Sequence, residues 1–208
     1  MKNLTIVQNP LILRDITYLR NHETREYQFR AALKRIAYSL CIEISKSFKT
    51  EVIDVETPLE ITEGHRIKPE IILVPVLRAG LSLVDAFIEM IPYAKVGHIG
   101  LQRNEETLEP VEYYYKTPKE LSTSKVIVLD PMLATGGSAS AAFSFLKQRG
   151  ANDLVFASLI AAPEGVEKMS KDHPEIPVYT ASLDRQLNDV GYIVPGLGDA
   201  GDRTFGTL

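Results

Sequence analysis

Cysteine and tryptophan are almost missing from this chain, which has one cysteine and no tryptophan in 208 residues. A single cysteine, Cys41, cannot form an intramolecular disulfide, so no disulfide framework is expected. Cys41 lies in an apolar stretch, which predicts a buried thiol. We therefore expect a protein of a reducing compartment, the cytoplasm.

The sequence also lacks an excess of basic charge and a long hydrophobic run. It has 23 Lys and Arg against 27 Asp and Glu, a net charge of −4, which argues against nucleic acid as the main partner. The longest apolar run, Ile71 to Leu77, is far shorter than the roughly 18 residues that cross a bilayer, so we expect no membrane partner. The opening segment is too short for a signal-peptide core.

No internal repeat, low-complexity tract or linker divides the chain. Its length is about 1.4 times a typical domain of about 150 residues. Apolar residues make up 45% of it, which is enough for a hydrophobic core that is stable without a disulfide or a bound metal ion. We expect a single domain over residues 1–208.

The spacing of apolar residues predicts one long helix and then a different pattern. From Glu23 to Lys46, apolar residues recur at steps of three and four, as on one face of a helix. From about residue 70, short unbroken apolar runs alternate with helix-sized stretches. The predicted strands are Ile71–Leu77, Val126–Leu129 and Leu154–Ile160, and the predicted helices are Leu81–Met90, Ser138–Arg149 and Gly165–Lys171.

Unbroken apolar strands are typical of parallel sheets that helices cover on both faces. The predicted fold class is therefore α/β, with an open doubly wound, mostly parallel sheet and an N-terminal helical extension. Further candidate strands are Val52–Val55, Lys95–Leu101 and Val178–Ala181. The segment from Arg103 to Lys119 is predicted to be a long loop, of a length that often forms a functional lid. Its run Tyr113–Tyr115 is assigned to that lid or to an edge strand, with stacking on a nucleobase as the alternative.

The strongest functional signal follows the strand Val126–Leu129. The next residues are Asp130, Pro131, Met132, Leu133, Ala134, Thr135, Gly136, Gly137 and Ser138. Backbone N–H groups, two hydroxyls and the positive end of a helix dipole would surround one point there, which suits a phosphate monoester. The segment is not a Walker A loop, because Gly-Lys-Ser/Thr is absent. An ordinary strand-to-helix turn capped by Ser138 is the structural alternative.

Two arginines also end apolar runs. Arg78 follows Leu77 and precedes Ala79-Gly80, and Arg103 ends the run that begins at Ile99. A guanidinium group at the end of a buried strand suits phosphate oxygens. A structural salt bridge for Arg78 and a solvated surface position for Arg103 remain open at this point.

The third signal is the glycine-rich tail YIVPGLGDAGDR, from Tyr192 to Arg203. It formally satisfies GxGxxG, but only seven residues follow Gly201, and a dinucleotide fold needs a helix and a further strand there. A loop that exposes backbone N–H and C=O groups remains, and it suits a small planar heterocycle; a flexible tail is the alternative. The four histidines lie far apart, so no protein metal site is predicted.

Together these segments resemble a known family. The stretch VIVLDPMLATGGSA, from Val126 to Ala139, resembles the diphosphate-sugar signature of the type I phosphoribosyltransferases, and the tail is similar to the base-binding segment of their uracil branch. The segment Leu77–Gly80 also matches. The general signature has acids where this chain has Pro131 and Ala134, and the form with Asp-Pro-Met-Leu is that of the uracil branch.

The resemblance implies a small base-binding hood beside the sheet. It also implies transfer of the 5-phosphoribosyl group from 5-phosphoribosyl 1-diphosphate to N1 of uracil, which gives UMP and diphosphate in pyrimidine salvage. Mg²⁺ would be bound mainly through the substrate diphosphate. The resemblance further implies a homodimer or higher homo-oligomer, with GTP as a candidate activator.

Site residues are carried over from the resemblance position by position. The catalytic residues would be Arg78, Arg103, Asp130 and Asp199; the phosphoribosyl diphosphate would also contact Pro131 to Ser138; uracil would contact Ile193, Gly198, Asp199 and Ala200. The arginines would neutralise the departing diphosphate, and Asp130 would accept hydrogen bonds from ribose hydroxyls. Whether Asp199 also removes the N1 proton is left open.

Two other functions fit the same residues. A phosphoribosyltransferase-like regulator could bind RNA or sense nucleotides, although the acidic total and the lack of an Arg/Lys cluster weigh against it. An enzyme of the same chemistry could instead use cytosine, hypoxanthine or xanthine.

Overall fold

The structure, a computed structural model, describes residues 3–103 and 110–207. The helices are α1 (Pro10–Arg20), α2 (Glu26–Ser45), α3 (Leu81–Met90), α4 (Gly137–Gln148), α5 (Pro163–Asp172) and α6 (Ala200–Phe205). The strands are β1 (Leu4–Ile6), β2 (Lys49–Glu56), β3 (Ile61–Lys68), β4 (Ile71–Leu77), β5 (Lys95–Val96), β6 (His98–Arg103), β7 (Pro110–Lys116), β8 (Lys125–Leu129), β9 (Met132–Leu133), β10 (Asp153–Ala161), β11 (Val178–Leu183), β12 (Gln186–Leu187) and β13 (Ile193–Val194).

The main sheet runs in the order β1-β11-β10-β8-β4-β6-β7, with β5 beside β4 and β9 beside β10. All of these pairs are parallel except β6 with β7. The hairpins β2–β3 and β12–β13 form separate two-stranded sheets. The predicted α/β class with an open, mostly parallel sheet is confirmed.

Helices cover both faces of this sheet, so it is doubly wound. Alternate side chains of β4 point to opposite faces: Ile71 and Leu73 belong to the core formed with α1, α2 and α3. Ile72 and Val74 belong to the core formed with α4 and α5. The burial of both faces explains the unbroken apolar runs of β4, β8 and β10.

Several predicted boundaries agree with the structure, and one helix starts later than predicted. Strand Ile71–Leu77 and helix Leu81–Met90 match residue for residue. The long helix begins at Glu26 instead of Glu23, because the Gln28 side chain accepts a hydrogen bond from the Arg25 N–H (3.2 Å) and caps the helix there.

The prediction of a continuous loop from Arg103 to Lys119 is wrong. Residues 110–116 form β7, which pairs antiparallel with β6 at the edge of the sheet, so Tyr113–Tyr115 lie on an edge strand. The guanidinium carbon of Arg149, the residue that follows α4, lies 3.9 Å from the centre of the Tyr115 ring, and this contact was not visible in the sequence. Residues 104–109 lie outside the described residues, so the lid remains a prediction.

Among the residues that the structure describes, none of the helices combines the length and the apolar character needed to cross a membrane.

Candidate active site

Two neighbouring strands deliver the predicted charged residues to one edge of the sheet. Strands β4 and β8 are parallel, with Pro75 opposite Leu129, so Arg78 and Asp130 both follow the carboxyl ends of their strands. In open α/β sheets, ligands bind at this edge. The prediction from strand order therefore agrees with the geometry.

The segment after β8 forms a shallow cavity of about 200 Å³. Its lining residues are Asp130, Met132, Leu133, Ala134, Thr135, Gly136, Gly137, Ser138 and Ala139. Gly136 has φ +77° and precedes α4, a conformation that glycine adopts without strain. Pro131 is absent from the lining; its carbonyl accepts a hydrogen bond from the Leu159 N–H (3.0 Å) inside the sheet. We call residues 134–138 the phosphate loop.

Helix α5 supports the phosphate loop from behind through Gly165, a residue whose role the sequence did not reveal. A Cβ built on Gly165 would lie 2.8 Å from the Leu133 carbonyl oxygen and would meet the Ala134 carbonyl oxygen as well. Only a glycine lets this helix approach so closely. The one available signal was a glycine at the first position of a predicted helix.

Asp130 is half-buried at the mouth of this cavity. Burial raises the pKa of its carboxyl group to about 7; the Met132 N–H (3.4 Å) opposes the rise, and the nearby charge of Asp199 adds to it. The carboxyl group is therefore poised between its protonated and ionised forms near neutral pH.

Arg78 lies on the neighbouring loop, after a cis peptide bond between Leu77 and Arg78. Its guanidinium group pairs with Asp202 on α6 at 3.3 Å, and its side chain is 62% exposed. The structural salt bridge considered as an alternative is thus present. An exposed pair of this kind is weak and screened, so Arg78 remains accessible to an anion. Arg103 is the last residue of β6, and its side chain lies outside the described part of the structure.

The tail forms a loop that runs from the hood hairpin β12–β13 to α6, and we call residues 195–199 the base loop. Gly198 has φ +78°, is exposed, and its N–H and C=O make no hydrogen bond to other described residues. Ile193 and Ala200 at the two ends are buried. Asp199 accepts a hydrogen bond from the Asp202 N–H at 2.9 Å.

The three segments meet. A Cβ built on Gly201 would lie 3.7 Å from the Ala79 Cβ, and one built on Gly191, in the hood, would lie 3.7 Å from the Thr135 methyl group. The phosphate loop, the Arg78 loop and the tail therefore border one region. In the described ranges, 3–103 and 110–207, no group of three or more His, Cys, Asp or Glu side chains could hold a metal ion.

A larger cavity, about 450 Å³, lies elsewhere, between α1 and α2. It is lined by Arg14, Tyr18, Tyr27, Gln28, Ala31 and Arg35. None of the predicted site residues borders it.

Comparison with known proteins decides the family. The uracil phosphoribosyltransferase family model matches residues 6–207. The chain belongs to this family. Two relatives named uracil phosphoribosyltransferase are 51% identical (Salinibacter ruber, covering 100% of this chain and 99% of the relative) and 50% identical (Finegoldia magna, covering 100% of both).

Solved structures agree on the fold of this uracil phosphoribosyltransferase family member. A protein from Aquifex aeolicus superposes with a TM-score of 0.91 at 37% identity, over 97% of each chain. A purine phosphoribosyltransferase from Pyrococcus horikoshii superposes with a TM-score of 0.52 at 15% identity, over 74% of this chain and 84% of that one. The second likeness concerns the fold alone, which is that of the type I phosphoribosyltransferases.

Proposed function

We propose that this chain transfers the 5-phosphoribosyl group from 5-phosphoribosyl 1-diphosphate to N1 of uracil, giving UMP and diphosphate for pyrimidine salvage. Family membership supports the reaction, and one observation supports its location. The Arg78 loop, the phosphate loop and the tail border a single region, which suits a substrate with a diphosphate at one end, a phosphate at the other and a base beside the sugar.

Arg78 is proposed to stabilise the leaving diphosphate. When the bond to the anomeric carbon breaks, positive charge grows on the sugar and negative charge on the diphosphate, so a cation aimed at that oxygen lowers the barrier. The pairing of Arg78 with half-exposed Asp202 at 3.3 Å supports this role, since a diphosphate could replace that partner at little cost. Arg103 is proposed as a second cation for the same group.

The phosphate loop is proposed to bind the 5-phosphate through its N–H groups and the hydroxyls of Thr135 and Ser138, both of which are exposed. Asp130 would accept hydrogen bonds from the ribose hydroxyls. Such donors favour the ionised carboxylate, so sugar binding should lower the pKa of Asp130 from about 7 and release a proton below that pH.

Uracil is proposed to be recognised by backbone groups of Ile193, Gly198 and Ala200. The N–H and C=O of Gly198 have no partner among the described residues, and uracil offers matching C=O and N–H groups on its edge. Neutral recognition of this kind discriminates between bases because a mismatched base leaves polar groups unpaired.

Mg²⁺ is proposed to enter mainly as a complex with the substrate diphosphate. Its presence fits one observation: Asp130 and Asp199 are close enough for their charges to repel, and a hard cation with phosphate ligands would relieve that repulsion. Bound there, Mg²⁺ would add positive charge beside the diphosphate. Activation by GTP, a homodimer or higher homo-oligomer, and a cytoplasmic location are proposed from the family resemblance.

The test is UMP formation from uracil, 5-phosphoribosyl 1-diphosphate and Mg²⁺, with and without GTP and at two protein concentrations. Cytosine, hypoxanthine and xanthine serve as competing bases, and omission of Mg²⁺ tests the metal. UMP as the only nucleotide product is the expected result. Turnover of another base but not of uracil would overturn the substrate, and no product from folded protein would overturn the activity and direct attention to RNA and nucleotide binding.

A further inference from the structure

One residue of the base loop, Gly196, is held by hydrogen bonds to both its N–H and its carbonyl group. The Gly196 N–H donates to Asp184 Oδ2 at 2.9 Å, and the Gly196 carbonyl accepts from Arg20 Nη1 at 3.0 Å. Gly196 is buried and has φ +65°. Neither Arg20 nor Asp184 belongs to the tail: Arg20 ends α1, and Asp184 follows β11 at the same sheet edge as Asp130.

Arg20 and Asp184 form a bidentate ion pair with each other. The guanidinium group forms two hydrogen bonds to the carboxylate, at 2.6 and 2.8 Å, and a third to Ser182 Oγ at 3.1 Å, while Ser182 Oγ donates to Asp184 at 2.9 Å. The Asp184 side chain is 1% exposed. Burial alone would raise the pKa of Asp184, but the bonds from Arg20, Gly196 and Ser182 outweigh it and hold that pKa below its usual value. The carboxylate thus stays charged, and its geometry is fixed.

A second arginine fixes α1 against the tail. Arg203 donates from Nη1 to the Leu197 carbonyl (2.7 Å) and to the Leu19 carbonyl, and from Nη2 to the Asn21 carbonyl (2.7 Å). The carbonyl groups at the end of a helix lack partners of their own and attract a cation. The end of α1 is therefore joined to the base loop directly, from Arg20 to Gly196, and indirectly through Arg203, which also bonds to the Leu197 carbonyl.

We propose that Arg20 and Asp184 are positioning residues: they fix the base loop at Gly196 and so orient the groups that bind uracil. The inference rests on the proposed function. Gly196 lies two residues before Gly198, whose backbone groups are available to a base, and both glycines have positive φ. A loop with such freedom needs an external anchor, and a displacement of about 1 Å at a binding loop can cost about 100-fold.

The main test is Arg20→Lys. Lysine keeps the charge that compensates buried Asp184, but a single ammonium group replaces the planar fork, so the bonds to the Gly196 carbonyl and Ser182 cannot all be kept. We expect the KM for uracil to rise about 10- to 100-fold, while kcat and the KM for 5-phosphoribosyl 1-diphosphate change by less than about twofold. Hydrogen exchange of the Gly196 N–H should accelerate.

Arg35→Met is a control for the loss of a similar ion pair elsewhere. Arg35 makes the same kind of bidentate pair, two bonds of 2.8 Å to a buried carboxylate, Asp15, between α2 and α1, and within residues 3–103 and 110–207 it forms no hydrogen bond or ion pair with the tail. It should lower Tm without changing the KM for uracil. Ser182→Ala is a milder second variant that leaves the ion pair in place, and we expect a smaller rise in the same KM.

The outcomes separate this inference from the proposed function. If the wild type makes UMP and both Arg20→Lys and Ser182→Ala keep its KM for uracil, the positioning role is overturned; the same holds if Arg35→Met raises that KM equally. If Arg20→Lys does not fold, Ser182→Ala decides. If the wild type makes no UMP, the proposed function fails, and unchanged exchange of the Gly196 N–H in the variants would show separately that the anchor does not hold the loop.

Discussion

Adding one methyl group to Gly165 should displace the phosphate loop although no residue of the loop itself is changed. In Gly165→Ala the new Cβ would lie 2.8 Å from the Leu133 carbonyl oxygen and would also meet that of Ala134. A relaxed carbon–oxygen contact needs about 3.3 Å or more. The loop and α5 must therefore separate by about 0.5 to 1 Å.

This separation should affect catalysis more than stability. Overpacking costs about 1 to 3 kcal/mol, and alanine offsets about 1 kcal/mol of this because it favours the helix over glycine. The net loss is then at most about 2 kcal/mol, or a fall in Tm of up to about 8 °C for a chain of this size. A phosphate loop displaced by about 1 Å should lower kcat/KM for 5-phosphoribosyl 1-diphosphate by about 100-fold.

Steady-state kinetics and thermal unfolding on the same preparations test this expectation. Glu167→Ala is the control, since Glu167 lies on the exposed side of α5 and should leave both kcat/KM and Tm close to wild type. A Gly165→Ala protein with wild-type kcat/KM for 5-phosphoribosyl 1-diphosphate would refute the idea that the close approach of α5 sets the position of the loop.

Three further changes test individual groups of the site. Arg78→Ala should lower kcat/KM about 30- to 1,000-fold with an unchanged circular dichroism spectrum; wild-type turnover would remove its role with the leaving group. Asp130→Asn should remove the pH dependence of substrate binding that comes from the Asp130 carboxyl group. Below pH 7, the ratio of the wild-type affinity for 5-phosphoribosyl 1-diphosphate to that of the variant should fall about tenfold per pH unit. Because the pKa of Asp130 is raised by folding, its stabilising contribution is present at low pH and is lost as pH rises through about 7, so Asp130→Asn should raise Tm at pH 8 and not at pH 4; the opposite order would contradict the sign. Gly198→Val should block uracil binding in calorimetry, whereas Gly206→Val, with a similar φ of +71° away from the site, should retain it.

The sheet, and the position of the candidate site residues at one of its edges, could be predicted because their signals are local. An unbroken run such as Ile71–Leu77 indicates a strand buried on both faces, and the order of elements along the chain then brings Arg78 and Asp130 to one edge. The cavity after β8 is lined by eight of the nine predicted residues from Asp130 to Ser138. Pro131 differs because its carbonyl is used by the sheet.

What could not be predicted depends on contacts between distant parts of the chain. Strand β7 carries charges and begins at a proline; it pairs with β6 at the sheet edge, and Arg149, from a distant part of the chain, covers Tyr115. Arg20 and Asp184 are 164 residues apart, and each alone reads as an ordinary surface charge. Gly165 looks like an ordinary glycine of a helix until the residues that it contacts in the fold are known.

The attachment of α1 to the tail has a consequence for synthesis on the ribosome. Asn21 and Arg203 are separated by 182 residues, and β1 pairs with β11, where Leu4 lies opposite Val178. At about 5 to 20 residues per second, the end of α1 waits about 10 to 40 s for the tail to be made. During that interval the apolar side of α1, with Ile12, Ile16 and Leu19, can pack against α2, but its bonds to Arg203 cannot form, so the end of α1 should reach its final position only after the tail has emerged.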